Sequence, residues 1–225
     1  MLLRTFASRL AYLFAVLSLM AGASLGAQPA PAGAGQPYRE LATPQPTMSP
    51  GKIEVLEFFS YGCPHCNEFY PLLNAWLAKQ PKDIVLRREA VSLGHVQWVN
   101  LARAYYALKT SGDLPKLDGA LFHALHEEQL PLVDEQSLAD WVGKKGGNAA
   151  KFTAAYTSFG VNNQTVQSDA MVPKYTIEGI PALIIDGRYL VLGDTHEEML
   201  ANADKAIAVA RAARKAAAAK AIKPQ

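Results

Sequence analysis

The run Ile53-Glu54-Val55-Leu56-Glu57-Phe58-Phe59 breaks the strict alternation of a half-buried strand, because Val55, Leu56, Phe58 and Phe59 are all apolar. Apolar positions on both faces predict a central strand covered by helices on either side. A helical pattern opens at Cys63 and continues through Phe69, Leu72, Leu73, Trp76 and Leu77. Pro64 falls in its first turn, where the missing N–H would be unpaired anyway. After the turn at Pro81-Lys82-Asp83 a second strand is expected over residues 84–91. Strand, helix, strand in this order is a βαβ unit with parallel pairing and a right-handed crossover.

From His95 the pattern is helical only. Helices are expected over residues 97–110, 115–128, 135–145 and 149–159, with stops at Ser111-Gly112, Gly146-Gly147 and Gly160. A further helix over 164–174 leads back. Residues 182–185 and 188–192, joined by Asp186-Gly187, carry a hairpin signal. An Ala-rich helix over 195–219 follows, capped by Thr195 with Glu197 and Glu198 in its first turn. The organisation is βαβ, a block of helices, then ββα. A helical block between the two halves of one α/β sheet is an insertion, not a second domain in series.

The segment before the first long strand differs in kind. Arg4 and Arg9 precede an apolar run over residues 10–20, and the small residues of 21–27 follow. Positive, apolar, then small is the order of a secretory signal peptide, with cleavage expected after Ala23, Gly26 or Ala27. The apolar run is about half the ~20 residues a membrane span needs. Residues 28–50, rich in Pro, form an extended lead-in with a short edge strand near 38–41. The formal charge of +2 over 225 residues belongs to the signal: residues 1–27 hold two arginines and no acid, so the mature chain is formally neutral. With 19% charged residues it has neither the basic balance of a nucleic-acid binder nor the composition of a disordered chain. Export places it outside the reducing cytoplasm.

There the only two cysteines of the chain stand as Cys63-Pro64-His65-Cys66 at a strand-to-helix junction. A thiol at a helix N-terminus meets unpaired N–H groups and the positive end of the dipole, which favour the thiolate, the form that attacks disulfides. His65 adds to this when protonated or donating a hydrogen bond. A stabilised thiolate favours the reduced pair and makes its disulfide an oxidant. Two rival readings exist. A structural bridge gains most from a long loop, and this one is very short; zinc needs four ligands, and no second C-x-x-C or H-x₃-H accompanies the motif. Redox chemistry is the expectation, with no metal.

The segments Leu56-Glu57-Phe58-Phe59-Ser60, Cys63-Pro64-His65-Cys66 and Gly179-Ile180-Pro181-Ala182, with the inserted helices and export signal, closely resemble the DsbA family of periplasmic thiol:disulfide oxidoreductases. The resemblance implies an α/β thioredoxin fold with an inserted α-helical domain: residues 51–94 and 175–219 as the thioredoxin-like part, 95–174 as the insertion. It implies Cys63 as the nucleophile that forms a mixed disulfide, Cys66 as the resolving thiol, and Ile180-Pro181 as a cis peptide beside the site, where a substrate backbone pairs. Glu57, six residues before Cys63, matches the family's buried acid and is expected to exchange protons with Cys66; the alternative is a head that reaches solvent at the strand edge. Reduced, unfolded exported proteins are the expected partners, with a membrane re-oxidant of the DsbB type. A monomer without cofactor or nucleic acid is expected. An isomerase or reductase would use the same motif in its reduced state, and a peptide-binding chaperone would keep it as a structural bridge only.

Other candidates read as scaffold. His123 and His126, with Glu127 and Glu128, look like an exposed polar face, His95 a loop residue and His196 a solvent position. Trp76, Trp98 and Trp141 look like packing, and Tyr61-Gly62 like part of an apolar contact surface.

Overall fold

The structure is a computed structural model and describes residues 35–222; the signal-peptide expectation for residues 1–27 lies outside them. The first strand, β1 (Tyr38–Glu40), is followed by β2 (Ile53–Phe59), helix α1 (Pro64–Leu77) and β3 (Ile84–Ala90). Five helices come next: α2 (Val96–Ser111), α3 (Leu114–His126), α4 (Glu135–Lys144), α5 (Ala149–Tyr156) and α6 (Phe159–Met171). Strands β4 (Ala182–Ile185) and β5 (Tyr189–Val191) and the long helix α7 (His196–Ile222) complete it. The sheet order is β1-β5-β4-β2-β3. β2 runs parallel to β3 and antiparallel to β4, as a βαβ unit joined to a hairpin requires. Among the described residues no helix is long and apolar enough to cross a membrane.

Every residue of β2 is buried, and its two faces see different neighbours. Ile53 and Val55 pack with Phe69 and Leu73 of α1 and with Ala203 and Ile207 of α7. Leu56 and Phe58 pack with Tyr175, Ile177 and Leu41 on the other side. Phe59, at the strand's end, belongs to the core of the helical insertion, together with Tyr105, Leu121 and Phe122. Helix α6 returns to the sheet and is fastened there: Ser168 Oγ donates to Ala90 O (2.7 Å), and Asp169 accepts from Ser92 N and Oγ (both 2.7 Å).

The expected boundary that moves furthest is the start of α6. Gly160 was expected to stop a helix and instead lies inside α6, which begins five residues before the expected 164; the Ser158 hydroxyl accepts from Val161 N (3.2 Å) and caps the helix there. Asp186 and Gly187 both have positive φ (56° and 64°) in a tight turn closed by Arg188 N donating to Ile185 O (3.0 Å), and strand pairing resumes at Ile185–Tyr189, leaving three residues between the paired positions. A Cβ on Gly187 would also strike the Gln45 carbonyl, so the turn residue is constrained by the lead-in as well as by its own backbone.

Candidate active site

β2 ends at Phe59 and the chain turns through Ser60-Tyr61-Gly62 into α1, so that Cys63 is the N-cap residue, extended at φ −91°, with Pro64 in the first turn. No acidic side chain occupies that turn and no side chain caps the helix. The first N–H groups are therefore left to the thiol of Cys63. Cys63 is 5% exposed and Cys66 fully buried, and both are present as thiols.

The two thiols are driven apart in acidity. The Cys63 pKa is lowered to about 6, first by a hydrogen bond from the Cys66 thiol, then, against the cost of burial, by the backbone N–H groups of Cys66 and His65 and the charge of the His65 ring. Burial pushes the Cys66 thiol strongly upward, and its donation to Cys63 adds to that. His65 itself stands out in solvent, 74% exposed, its Nδ1 3.4 Å from Glu68 Oε2. His196 is not the isolated solvent residue expected: its ring lies 6.4 Å from that of His65 and 5.3 Å from Phe69.

Ile180-Pro181 is a cis peptide. The loop lies against the helix start, where the Cys63 thiol donates to the Ile180 carbonyl (3.6 Å). Residues 117 positions apart in the chain are thereby brought to one point.

Glu57 is wholly buried and does not reach solvent. In the parallel ladder it sits opposite Arg88, whose Nε donates to Glu57 Oε2. Burial raises the Glu57 pKa, with Arg88 pulling the other way. Glu57 also acts on Cys66, its charge helping to hold that thiol protonated. Arg88 continues through Nη1 to Asp118 Oδ2 of α3 (2.7 Å), and its guanidinium lies 3.8 Å above the Phe59 ring. The next arginine, Arg87, points to the opposite face and serves Glu54 there (3.0 Å).

Four contributors were not read from the sequence. Arg88 and Asp118 lay unmarked among ordinary charges; a signal existed only in Arg88 falling within a mostly apolar strand. Tyr61 is fully buried and donates to Asp118 Oδ1 (2.5 Å), so it forms no contact surface for other chains. His126 is not on an exposed face: its Nε2 donates to the Tyr61 carbonyl (2.7 Å), pinning the turn ahead of Cys63. Gly62 runs so close to Trp98 that a Cβ would overlap the indole. Gly62, Pro64, Trp98, Leu101, Leu130 and Leu132 help line a groove of about 320 Å³ beside the motif.

A family model described as a DSBA-like thioredoxin domain matches residues 54–205, which include all of these residues. The chain belongs to this DsbA-like family. The thiol:disulfide interchange protein DsbA of Burkholderia cepacia is 36% identical over 176 residues, 77% of this chain and 82% of its own. That of Pseudomonas aeruginosa is 34% identical over 206 residues, covering 90% and 97%. The crystal structure of Pseudomonas aeruginosa DsbA superposes with a TM-score of 0.75 over 80% of this chain and 95% of that one, at 34% identity. That of the oxidoreductase DsbA from Xylella fastidiosa gives 0.74 over 79% and 97%, at 33%. The α/β thioredoxin-like fold with a helical insertion and the activity class, protein disulfide oxidoreductase, are those of the DsbA-like family.

Proposed function

We propose that this oxidoreductase works in the periplasm and donates a Cys63–Cys66 disulfide to newly exported proteins. A substrate thiolate attacks Cys63 Sγ; the Cys63–Cys66 bond breaks, and Cys66 leaves as a thiolate that takes a proton from the Glu57 carboxyl. A second substrate thiolate then attacks the substrate sulfur of the mixed disulfide and expels Cys63 as a thiolate. The substrate loses two electrons to form its disulfide, and the cysteine pair gains them. The observation that carries this direction is the acidity of Cys63: at neutral pH the reduced pair holds a stabilised thiolate, so its disulfide is readily reduced and acts as an oxidant.

The Ile180 carbonyl, within reach of the Cys63 sulfur, marks where the backbone of an extended substrate pairs, with Pro181 setting the loop. The groove beside Pro64 and Trp98 takes apolar side chains of an unfolded partner. Turnover requires a re-oxidant to remove the two electrons, a membrane protein of the DsbB type. The chain acts as a monomer, and the cysteine pair needs no cofactor.

The decisive measurement is the equilibrium of the cysteine pair with glutathione. A potential well above thioredoxin's, about −270 mV, is expected, and one as low as that would assign a reductase instead. Cys66→Ala, by removing the resolving thiol, is expected to accumulate a mixed disulfide between Cys63 and substrate, while Cys63→Ser forms none. If Cys63→Ser keeps its effect on client proteins, the activity is that of a chaperone.

A further inference from the structure

Around Glu57 the fold has buried one cation between two carboxylates. Glu57 comes from β2, Arg88 from β3 and Asp118 from α3 of the insertion, and Tyr61 closes the chain from the turn before Cys63. Side-chain exposures are 0% for Glu57, 9% for Arg88 and 15% for Asp118, and Tyr61 is fully buried. Two carboxylates against one guanidinium leave an excess negative charge in a medium where an uncompensated charge is costly, so the pair tends to keep one proton.

The hydrogen bonds decide which carboxyl keeps it. Both oxygens of Asp118 are engaged by donors, Oδ2 by Arg88 (2.7 Å) and Oδ1 by the Tyr61 hydroxyl (2.5 Å). Glu57 accepts only from Arg88, and its Oε1 is buried with no hydrogen-bond partner among the described residues. Donors favour the ionised form, and a free buried oxygen favours the protonated one. The other titratable groups at this place are Cys66 and Tyr70 of α1, the Tyr70 ring 5.2 Å from the Arg88 guanidinium, and Tyr105 of α2, whose hydroxyl donates to the Arg88 carbonyl (3.3 Å). All three stay neutral near pH 7, burial holding their protons on, so none supplies a competing charge.

We propose that Asp118, on the helical insertion, is a positioning residue of the redox site: by drawing on the Arg88 guanidinium, with Tyr61 as its second donor, it leaves the shared proton on Glu57, ready for Cys66. The insertion thereby contributes to the proton transfer without touching either sulfur. The inference rests on the reading of Glu57 as proton partner of Cys66, given above.

The test is to follow protonation of Glu57 by the infrared carboxylic-acid band of protein carrying isotope-labelled glutamate, alongside the pH profile for reduction of the disulfide by a small thiol. The acid band that disappears in Glu57→Gln identifies Glu57. Asp118→Asn is expected to release Arg88 to Glu57 and move the midpoint of that band down by about one pH unit or more. The low-pH limb of the reduction profile should shift with it, and Asp118→Glu should restore both. Tyr61→Phe, which removes one donor and keeps the ring, is expected to shift the midpoint in the same direction; it serves as the readout should Asp118→Asn fail to fold. An unchanged midpoint in whichever of these variants folds overturns the role of Asp118, whatever becomes of stability. An unchanged pH profile in Glu57→Gln, with the band still moved by Asp118→Asn, overturns the role of Glu57 instead.

Discussion

At Cys63 the acidity comes mostly from neighbours within three residues. The Cys66 thiol and the N–H groups of Cys66 and His65 all belong to the first turn of α1, and the His65 ring contributes least of them, standing in water. A titration of Cys63 followed by thiolate absorbance should therefore show a midpoint near 6. In Cys66→Ala the midpoint should rise, because the largest lowering contact is gone, and His65→Ala should raise it less. A larger rise in His65→Ala would mean that the exposed imidazole, not the buried thiol, governs the nucleophile. The motif was legible because its parts are consecutive. The order of their contributions was not, because it depends on burial: Cys66 is shielded and His65 is not.

Among the elements, the turn between β2 and α1 carries the tightest steric requirement. Gly62 lies against the Trp98 indole of α2, and His126 of α3 holds the Tyr61 carbonyl one residue earlier. Two helices of the insertion thus press the turn into the shape that presents Cys63. Gly62→Ala is expected to destabilise the protein by about 1–3 kcal/mol through overpacking, measured by urea denaturation, and Trp98→Ala in the same chain should relieve most of that cost. Equal losses with and without Trp98 would place the strain elsewhere. The elements themselves were read from the sequence with small shifts, since apolar spacing and Gly or Pro punctuation are local. Their sharpest miss, the start of α6, turned on a single serine cap outweighing a glycine. The β2–β3 register was not legible at all. The pleat alone sends Arg87 and Arg88 to opposite faces, and the register brings each within reach of its own acid.

For the molecule as a whole, the low pKa of Cys63 links its redox state to stability. A thiol whose folded pKa lies below its unfolded value near 8.5 stabilises the reduced fold in full above that value, and the contribution is lost as pH falls through about 6. Cys66, shifted upward, opposes this only above its ordinary range. Glu57 and the other carboxylates are common to both redox forms and largely cancel in their difference. The melting temperature of the reduced protein relative to the oxidised protein should therefore fall as pH is lowered from about 8.5 to about 6. A pH-independent difference would show that the thiolate is not what separates the two states.

What the sequence by itself determined is whatever neighbouring residues decide: a cysteine at a helix start after an apolar strand, a βαβ unit, a hairpin that turns at Asp186-Gly187, and helices between the halves of one sheet. The resemblance to a family extended this to Glu57 and Ile180-Pro181. Only the tertiary structure decided how the buried charges are shared, which histidine supports the turn and which lies beside His65, and how close the Ile180 carbonyl comes to the sulfur. The reason is physical: a buried charge must find its partner through strand register and the packing of helices distant in the chain, and neither leaves a period or a spacing to read.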